Sequence, residues 1–437
     1  MHLNAPLAIT LLLGAVVHAA PAPAPQDSAA TTSVASEVTT TTLPDGATTT
    51  LPVAASTDTA VASGQLDDLA AFALTLANSS VAASSKQKRG GCTLANLSIR
   101  REWGTLSSAE REAYTSAVNC LLAKNANTPS SLIPGAKSRF DDFVGTHINQ
   151  TMTIHYTGTF LAWHRYFTWS YEQALRNECG YTGTQPYWNW AQTAQTGLET
   201  SPIFDGSATS MSGNGAQVSG EGDVVLGGGG GLPEIDLPPG TGGGCVTSGP
   251  FKNMSVNLGP VSLGLTNGST ISNGDGLTYN PRCLKRDLTT AINQRYANAT
   301  SVVHQILKPQ EIYDFQMTMQ GYPGSGDIGV HGGGHYSIGG DPGRDLFVSP
   351  GDPVFYLHHA MIDRTWWIWQ LLDLKDRTGA AGISGTGTFL NSPPSPNTTM
   401  DTPIDLGYAT SPIYANPTYK MSDLLSTTSG PFCYIYL

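Results

Sequence analysis

The chain has 437 residues and a formal net charge of −11, which is enough length for one large domain or two small ones. The acidic balance, without a run of basic residues, argues against a nucleic-acid partner. Beyond the first 20 residues no stretch is long and apolar enough to cross a bilayer, so we expect no membrane-spanning segment.

Residues 1–20 read MHLNAPLAITLLLGAVVHAA. A short apolar core that ends in small residues is typical of a cleaved signal peptide. The alternative is a membrane anchor, but the apolar run is too short to span a bilayer. We therefore expect a secreted, extracellular protein.

Residues 21–89 are rich in Ala, Thr, Ser and Pro, and Phe72 is their only aromatic residue. Such a segment cannot bury enough apolar surface to fold alone, which predicts a disordered propeptide. It ends in KQKR at 86–89, and this dibasic end resembles a kexin-type processing site. A solvated linker is the alternative. The folded part is then predicted to be one domain, residues 90–437.

Every cysteine follows the dibasic site: Cys92, Cys120, Cys179, Cys245, Cys283 and Cys433. An even number in a secreted chain favours three disulfides, although six cysteines allow fifteen pairings. A bridge between the first and last would join the two ends of the folded part. Glycosylation sequons occur at Asn96, Asn149, Asn253, Asn267, Asn298 and Asn397.

Helical periodicity dominates the folded part. Helices are predicted at 107–124, 160–177 and 352–372, with others at 136–146, 285–298 and 301–319. Residues 207–276 are glycine-rich and are predicted to form a surface insertion, and residues 377–430 look loop-rich. The fold class is therefore mainly α, with long loops and little β structure.

Seven of the ten histidines fall in two clusters. The first cluster is His147, His155 and His164. The second is His331, His335, His358 and His359. Neutral imidazole is the commonest metal ligand in proteins, and all-imidazole sites suit copper, zinc, iron or nickel.

Spacing gives the first cluster a plausible geometry. His164 follows Phe160 by four residues, so both share a helix face and the aromatic ring can hold the imidazole. His147 and His155 are more compatible with a helix end and its following loop than with one continuous helix.

The second cluster leaves two questions open. His331 and His335 point at one metal if their segment is helical, but the three glycines between them weaken that prediction. His358 and His359 point about 100° apart on a helix, so one is expected to ligate and the other to support. Asp363, one turn later, is expected to fix a histidine tautomer.

Two sets of three imidazoles leave open coordination positions, as catalytic metals require. A zinc hydrolase would need one set and a glutamate base as in HExxH, which is absent. The duplication therefore points to a metal pair.

The runs FLAWHRYFTWSYEQAL and SPGDPVFYLHHAMIDRTWWIWQ resemble the two copper-binding signatures of the tyrosinase, catechol oxidase and haemocyanin superfamily. The resemblance extends over residues 91–437 and is greatest to short secreted fungal polyphenol oxidases. It implies a four-helix bundle that holds a type 3 centre of two copper ions. It also implies an enzyme that uses O2 to oxidise o-diphenols, or o-aminophenols, to quinone products.

By this resemblance, His147, His155 and His164 hold one copper, and His331, His335 and His359 hold the other. His358 is left as a supporting residue, and the family implies no catalytic group beyond the metal ligands. The partners it implies are small phenols, and no partner protein is inferred. A full tyrosinase with strong monophenol hydroxylation and a dioxygen carrier like haemocyanin remain alternatives.

The chain also departs from the family. Thr153 stands where many fungal tyrosinases have a cysteine cross-linked to a histidine, and Gly332 stands where enzymes active on monophenols often have asparagine. Gln316 and Gln320 lie where a helper glutamate would be sought. These departures predict weak monophenol hydroxylation. Leu346 occupies the position of the family's gate, and Tyr336 is placed with it among the substrate-access residues.

Overall fold

The structure is a computed structural model that describes residues 38–42, 48–52, 55–84, 91–227, 231–266, 268–410 and 418–437. It is mainly helical, which confirms the predicted fold class. The helices are α1 (Thr59–Ser84), α2 (Ser108–Ala123), α3 (Arg139–Ile154), α4 (Phe160–Cys179), α5 (Trp190–Thr196), α6 (Thr290–Tyr296), α7 (Ala299–Leu307), α8 (Ile312–Gln320), α9 (Gly329–Ile338), α10 (Val354–Leu371), α11 (Leu374–Arg377) and α12 (Met421–Leu424).

Short strands pair two at a time. They are β1 (Val38–Thr42), β2 (Thr48–Pro52), β3 (Ser98–Arg100), β4 (Gly215–Gln217), β5 (Val224–Gly227), β6 (Glu234–Leu237), β7 (Gly243–Val246), β8 (Ser255–Val256), β9 (Leu263–Gly264), β10 (Thr270–Ile271), β11 (Arg282–Cys283), β12 (Pro403–Ile404), β13 (Tyr419–Lys420) and β14 (Tyr434–Tyr436). Seven of them lie in the glycine-rich insertion predicted at 207–276, as small hairpins and ribbons. The pair β3–β14 is parallel, with Ile99 opposite Ile435, and joins the two ends of the domain.

The helix ends follow local sequence chemistry. The side chains of Ser107 and Ser138 accept backbone N–H groups at the starts of α2 and α3. The side chains of Glu110 and Asp141 in turn accept the backbone N–H groups of these two serines, which completes two capping boxes. The predicted 301–319 helix is instead α7 and α8, separated by Pro309, which has no N–H to donate to a helix. The helix predicted at 136–146 runs on to 154.

The core centres on α3, α4 and α10. Tyr171 of α4 and Tyr356 of α10 stack with ring centres 3.4 Å apart, and Phe143 of α3 packs edge-on against both. All three rings are buried. This aromatic layer sets the spacing of the three helices, and α9 packs against α10 beside it.

The segment before the dibasic site is not disordered throughout, and the prediction of disorder is wrong for 59–84. Helix α1 packs on α7 and α10, and Ala62, Leu66, Leu69 and Ala73 are buried there. The segment cannot fold alone, but the domain supplies the apolar surface that it lacks. The predicted signal peptide and the dibasic residues lie outside the described residues.

All six cysteines are paired, as Cys92–Cys433, Cys120–Cys179 and Cys245–Cys283. The first bridge joins the two ends of the domain and lies beside the β3–β14 pair. In the described ranges, no helix combines the length and the apolar character that a membrane crossing requires.

Candidate metal centre

The first three histidines converge from two helices. His147 lies on α3, His155 directly follows its last residue, and His164 lies on α4. Their ring centres are 5.0–5.7 Å apart. Each Nδ1 lies 2.8–3.0 Å from a backbone carbonyl, which fixes the tautomer and leaves each Nε2 lone pair free.

The second set converges from α9 and α10. Nε2 of His335 lies 3.2 Å from Nε2 of His331 and 3.3 Å from Nε2 of His359. The His335 ring also hydrogen-bonds the backbone of Gly343, which uses its ring proton in the neutral form. In the tautomers that leave all three Nε2 atoms unprotonated, these nitrogens repel one another unless a cation lies among them. This set therefore fits a metal ion.

The first set passes the same test. The Nε2 atoms of His147 and His164 are buried and have no hydrogen-bond partner within the described part of the chain. An unsatisfied buried nitrogen is costly, and a bound cation would satisfy both. Three imidazoles per ion match the copper and zinc donor sets of catalytic sites.

His358 has a different role from its neighbour. Its Nε2 lies 3.1 Å from the carbonyl oxygen of His331 and donates to it. A Cβ on Gly334 would collide with the His358 ring, so a glycine is needed for α9 to approach α10 this closely. This contact explains why a helix forms through the glycines that argued against it. His358 thus positions α9, although one of its ring nitrogens lies close enough to those of the other three histidines to share a metal ion with them.

The two histidine sets form one site. The rings of His164 and His359 stack with centres 4.6 Å apart, and those of His155 and His331 are 5.8 Å apart. Phe160 packs at 5.0 Å from His164, as predicted, and also at 5.1 Å from His331. Its ring therefore braces both sets at once.

Burial keeps the imidazoles neutral. It lowers the pKa of every clustered histidine, to about 4 for His155 and about 3 for His335. The neutral ring is the form that binds metal, so the site is ready for ligation at neutral pH.

Asp363 does not fix a histidine tautomer, and that prediction is wrong. Within the described residues its hydrogen bonds go to Arg165, Arg100, Tyr434 and Tyr436, at 2.5–3.4 Å. Two buried guanidinium groups need a counter-charge, whereas a neutral imidazole needs only an acceptor. The carboxylate therefore serves a charge network behind the metal centre.

A cavity of about 320 Å³ opens onto the second histidine set and onto His155. Gly332, Tyr336 and Leu346, for which a supporting or substrate-access role is predicted, line it. The strands β5 and β6 form a hairpin along the same cavity, through Leu226 and Ile235 among others. The glycine-rich insertion was predicted only as a surface feature, and its place beside the histidines carries no signal in the local sequence.

The two glutamines where a helper glutamate was sought stabilise loops. Gln320 Oε1 accepts the backbone N–H of Tyr156 at 2.7 Å, and Tyr156 has a left-handed φ of 50° directly after His155. Gln316 Nε2 donates to the Ser384 carbonyl. The Gln320 bond holds the strained turn that places His155 at the metal centre.

Comparison with known proteins agrees with this geometry. Residues 137–372 match the family model described as the common central domain of tyrosinase. The chain is 41% identical over 360 residues to Tyrosinase P of Aspergillus terreus, covering 82% of this chain and 97% of that protein. It is 39% identical over 356 residues to the N-acetyl-6-hydroxytryptophan oxidase of Emericella nidulans, covering 79% and 93%.

A solved structure is similar too. It is a glycine-to-asparagine mutant of polyphenol oxidase from Thermothelomyces thermophila, 46% identical, with a TM-score of 0.78. The match covers 85% of this chain and 97% of that one.

Proposed function

Because the chain belongs to the tyrosinase family of dicopper oxidases, which act on small phenols, we propose that it oxidises o-diphenols to o-quinones. o-Aminophenols are a second substrate class, and hydroxylation of monophenols is weak. In net terms, two o-diphenols give two o-quinones while one O2 becomes two waters. The observation that carries the proposal is the pair of histidine sets beside a cavity in which the residue after His331 is Gly332, which has no side chain.

We assign the copper ions to the two trios. His147, His155 and His164 hold the first copper, and His331, His335 and His359 hold the second. The buried Nε2 atoms of His147 and His164, which have no partner among the described residues, and the converging Nε2 atoms of the second trio support the assignment. When bound, the copper pair supplies the two-electron chemistry between the phenol and dioxygen.

The chain itself orients the substrate. Leu226, Ile235 and Leu346 give the cavity apolar walls that accept an aromatic ring and exclude water. A monophenol has a pKa near 10 and needs a group that takes its proton before it is hydroxylated. Gly332 has no side chain to orient such a group, whereas an o-diphenol is already hydroxylated.

A full tyrosinase with strong monophenol hydroxylation is the second candidate, favoured by the name of the relative from Aspergillus terreus. A relative from Emericella nidulans is named for oxidation of a hydroxylated tryptophan derivative. These names support a small hydroxylated aromatic substrate and leave its identity to experiment.

We also propose that the protein is secreted and processed after Arg89. The apolar segment at residues 1–20 and the dibasic pair support this route. The pairing of every cysteine in a disulfide fits an oxidising compartment. The exposed sequons, such as Asn149 and Asn253, are open to glycosylation.

The test is metal analysis with initial rates on catechol, 2-aminophenol and tyrosine. We expect about two copper ions per chain, turnover of the first two substrates and slow turnover of tyrosine. Copper without any turnover would instead indicate a dioxygen carrier. Equal rates on tyrosine and catechol would establish the full tyrosinase.

A further inference from the structure

One cationic side chain lines the substrate cavity, and it has no ion-pair partner in the described part of the chain. Arg344 is partly buried at the cavity, and its Nε is buried without a hydrogen-bond partner. A guanidinium group presents donors in a planar fork that matches a carboxylate. The remaining lining is mostly apolar, so this group is the natural site for an anion.

The nearby acids form no ion pair with Arg344 in the described part of the chain. The Asp345 carboxylate instead accepts the backbone N–H groups of Val261, Ser262 and Phe347 at 2.7–3.0 Å. Glu221 lies close enough for Arg344 to lower its pKa, although burial dominates and raises that pKa overall. Glu221 makes no ion pair with the guanidinium.

The backbone around Arg344 ties it to the metal centre. Gly343, the preceding residue, hydrogen-bonds the His335 ring, and Leu346, two residues later, lines the cavity at the gate position. Asp345 anchors the loop between them through three backbone N–H groups. The guanidinium group is therefore carried by a rigid loop between a histidine of the site and the entrance.

We propose that Arg344 binds the carboxylate of phenolic acid substrates whose ring lies over the second histidine set. This inference rests on the proposed function and names its substrate class as o-diphenols with an acidic side chain. The protein as a whole is acidic, with a net charge of −11, and would repel such anions without a local cation. Arg344 thereby sets specificity and takes no part in the redox step.

The test compares two substrates with the same ring. They are 3-(3,4-dihydroxyphenyl)propanoic acid and its uncharged amide, and two methylene groups separate the charge from the ring in the acid. We expect the wild-type protein to show a higher kcat/KM for the acid. Arg344→Gln should lower kcat/KM for the acid about tenfold to a hundredfold, through KM, and change the amide by less than about twofold.

Two further variants serve as controls. Arg344→Lys keeps the charge but loses the fork, so it should restore part of the preference for the acid. Lys252→Gln removes one positive charge from an exposed position outside the cavity and should keep the wild-type preference. Loss of the preference in Lys252→Gln would show a general charge effect and overturn the proposal.

Other results also overturn the proposal. One is a higher wild-type kcat/KM for dopamine than for the acid, because the dopamine amine would pair with the exposed Asp327 at the cavity. Another is an equal loss of kcat/KM for the acid and the amide in Arg344→Gln. If the copper-loaded protein oxidises neither substrate, the proposed function fails. Calorimetric binding of 3-phenylpropanoate and its amide then still tests Arg344, and equal affinity of the wild-type protein and Arg344→Gln for the acid contradicts it.

Discussion

At the scale of single residues, adjacent histidines of α10 divide two tasks. Nε2 of His359 lies 3.3 Å from Nε2 of His335, whereas Nε2 of His358 donates a hydrogen bond to the carbonyl oxygen of His331. A nitrogen that donates a proton to a carbonyl has no lone pair for a metal. This difference supports the proposal that His359 binds the ion, while His358 holds the position of α9.

His359→Ala should remove one copper ion of the two and abolish oxidase activity, because two imidazoles alone hold copper weakly. His358→Ala should keep both ions and lose only part of the activity, through a small displacement of α9. Copper content per chain and catechol oxidation are the measurements. His304→Ala, at a half-buried histidine of α7 outside both clusters, is the control and should resemble wild type. Copper loss in His358→Ala but not in His359→Ala would reverse the assignment.

A side chain introduced at Gly332 would change the packing of α9 as well as the chemistry of the site. A Cβ at this position would lie 2.9 Å from Cβ of Ile328 one turn earlier, so any substitution displaces α9 or its start. We expect a cost of about 1–3 kcal/mol for that crowding. A variant must therefore be compared with one that has the same crowding and no amide.

Gly332→Asn should raise the ratio of initial rates on tyramine and dopamine, because its amide can orient a water that accepts the phenol proton. Gly332→Ala adds the same Cβ without the amide and should leave the ratio unchanged. Copper content is checked in both. An unchanged ratio in copper-replete Gly332→Asn, or an equal rise in Gly332→Ala, would contradict the proton-transfer argument.

At the scale of secondary-structure elements, a buried charge network joins α4, α10, β3 and β14. Asp363 of α10 accepts from Arg165 of α4 at 2.5 Å and from the hydroxyls of Tyr434 and Tyr436 at 2.6 Å. Arg100 of β3 adds a contact at 3.4 Å. Burial would raise the pKa of Asp363, but the two guanidinium groups and the hydroxyls hold it below its usual range.

Asp363→Asn should destabilise the protein by about 3–5 kcal/mol at neutral pH, because it leaves buried guanidinium charge without its counter-charge. The measurement is the apparent Tm at a fixed scan rate. Asp401→Asn, in the exposed pair with Lys420, makes the same chemical change and should have little effect. Equal shifts in the two variants would remove the special role of the network.

The same network predicts an acid dependence. The folded-state pKa of Asp363 lies below its unfolded value, so its contribution is complete above the ordinary carboxyl pKa of about 4. The contribution is lost as the pH falls through the lower folded value. The Tm difference between wild type and Asp363→Asn should therefore shrink at pH 3. A difference that persists unchanged there would contradict the sign.

At the scale of the whole molecule, the segment before the dibasic site supplies a helix to the catalytic domain. Leu66 and Leu69 of α1 lie in the same hydrophobic core as Trp367 of α10, and Leu69 has no exposed surface. None of the residues that line the substrate cavity belongs to α1. The described part of this segment therefore does not block the entrance.

Cleavage after Arg89 should leave the α1 fragment bound, because the apolar contacts persist when the backbone is cut. We expect both pieces to co-elute in gel filtration and to be seen by mass spectrometry. Leu69→Glu should release the fragment, whereas Val61→Glu, at an exposed position of the same helix, should retain it. A cut wild-type protein that loses the fragment and keeps its stability would contradict the prediction.

Features that depend on local spacing could be predicted from the sequence. The periodicity of α4 and α10, the clustering of the histidines and the position of Phe160 one turn before His164 all lie within a few turns of chain. The mainly helical fold followed from the same patterns. Motif spacing relative to the histidines also placed Gly332 next to a ligand and Leu346 at the gate position, and both residues line the cavity.

Features that depend on partners distant in the chain became visible only in the folded structure. Arg165 and Asp363 are 198 residues apart, and His358 and the carbonyl of His331 are 27 apart, so no local pattern indicates either contact. The packing of α1 on the domain and the position of the β5–β6 hairpin at the cavity also depend on contacts between distant parts of the chain. A side chain's role here follows from which charge, donor or apolar surface the fold brings to it, and that is a property of packing rather than of sequence spacing.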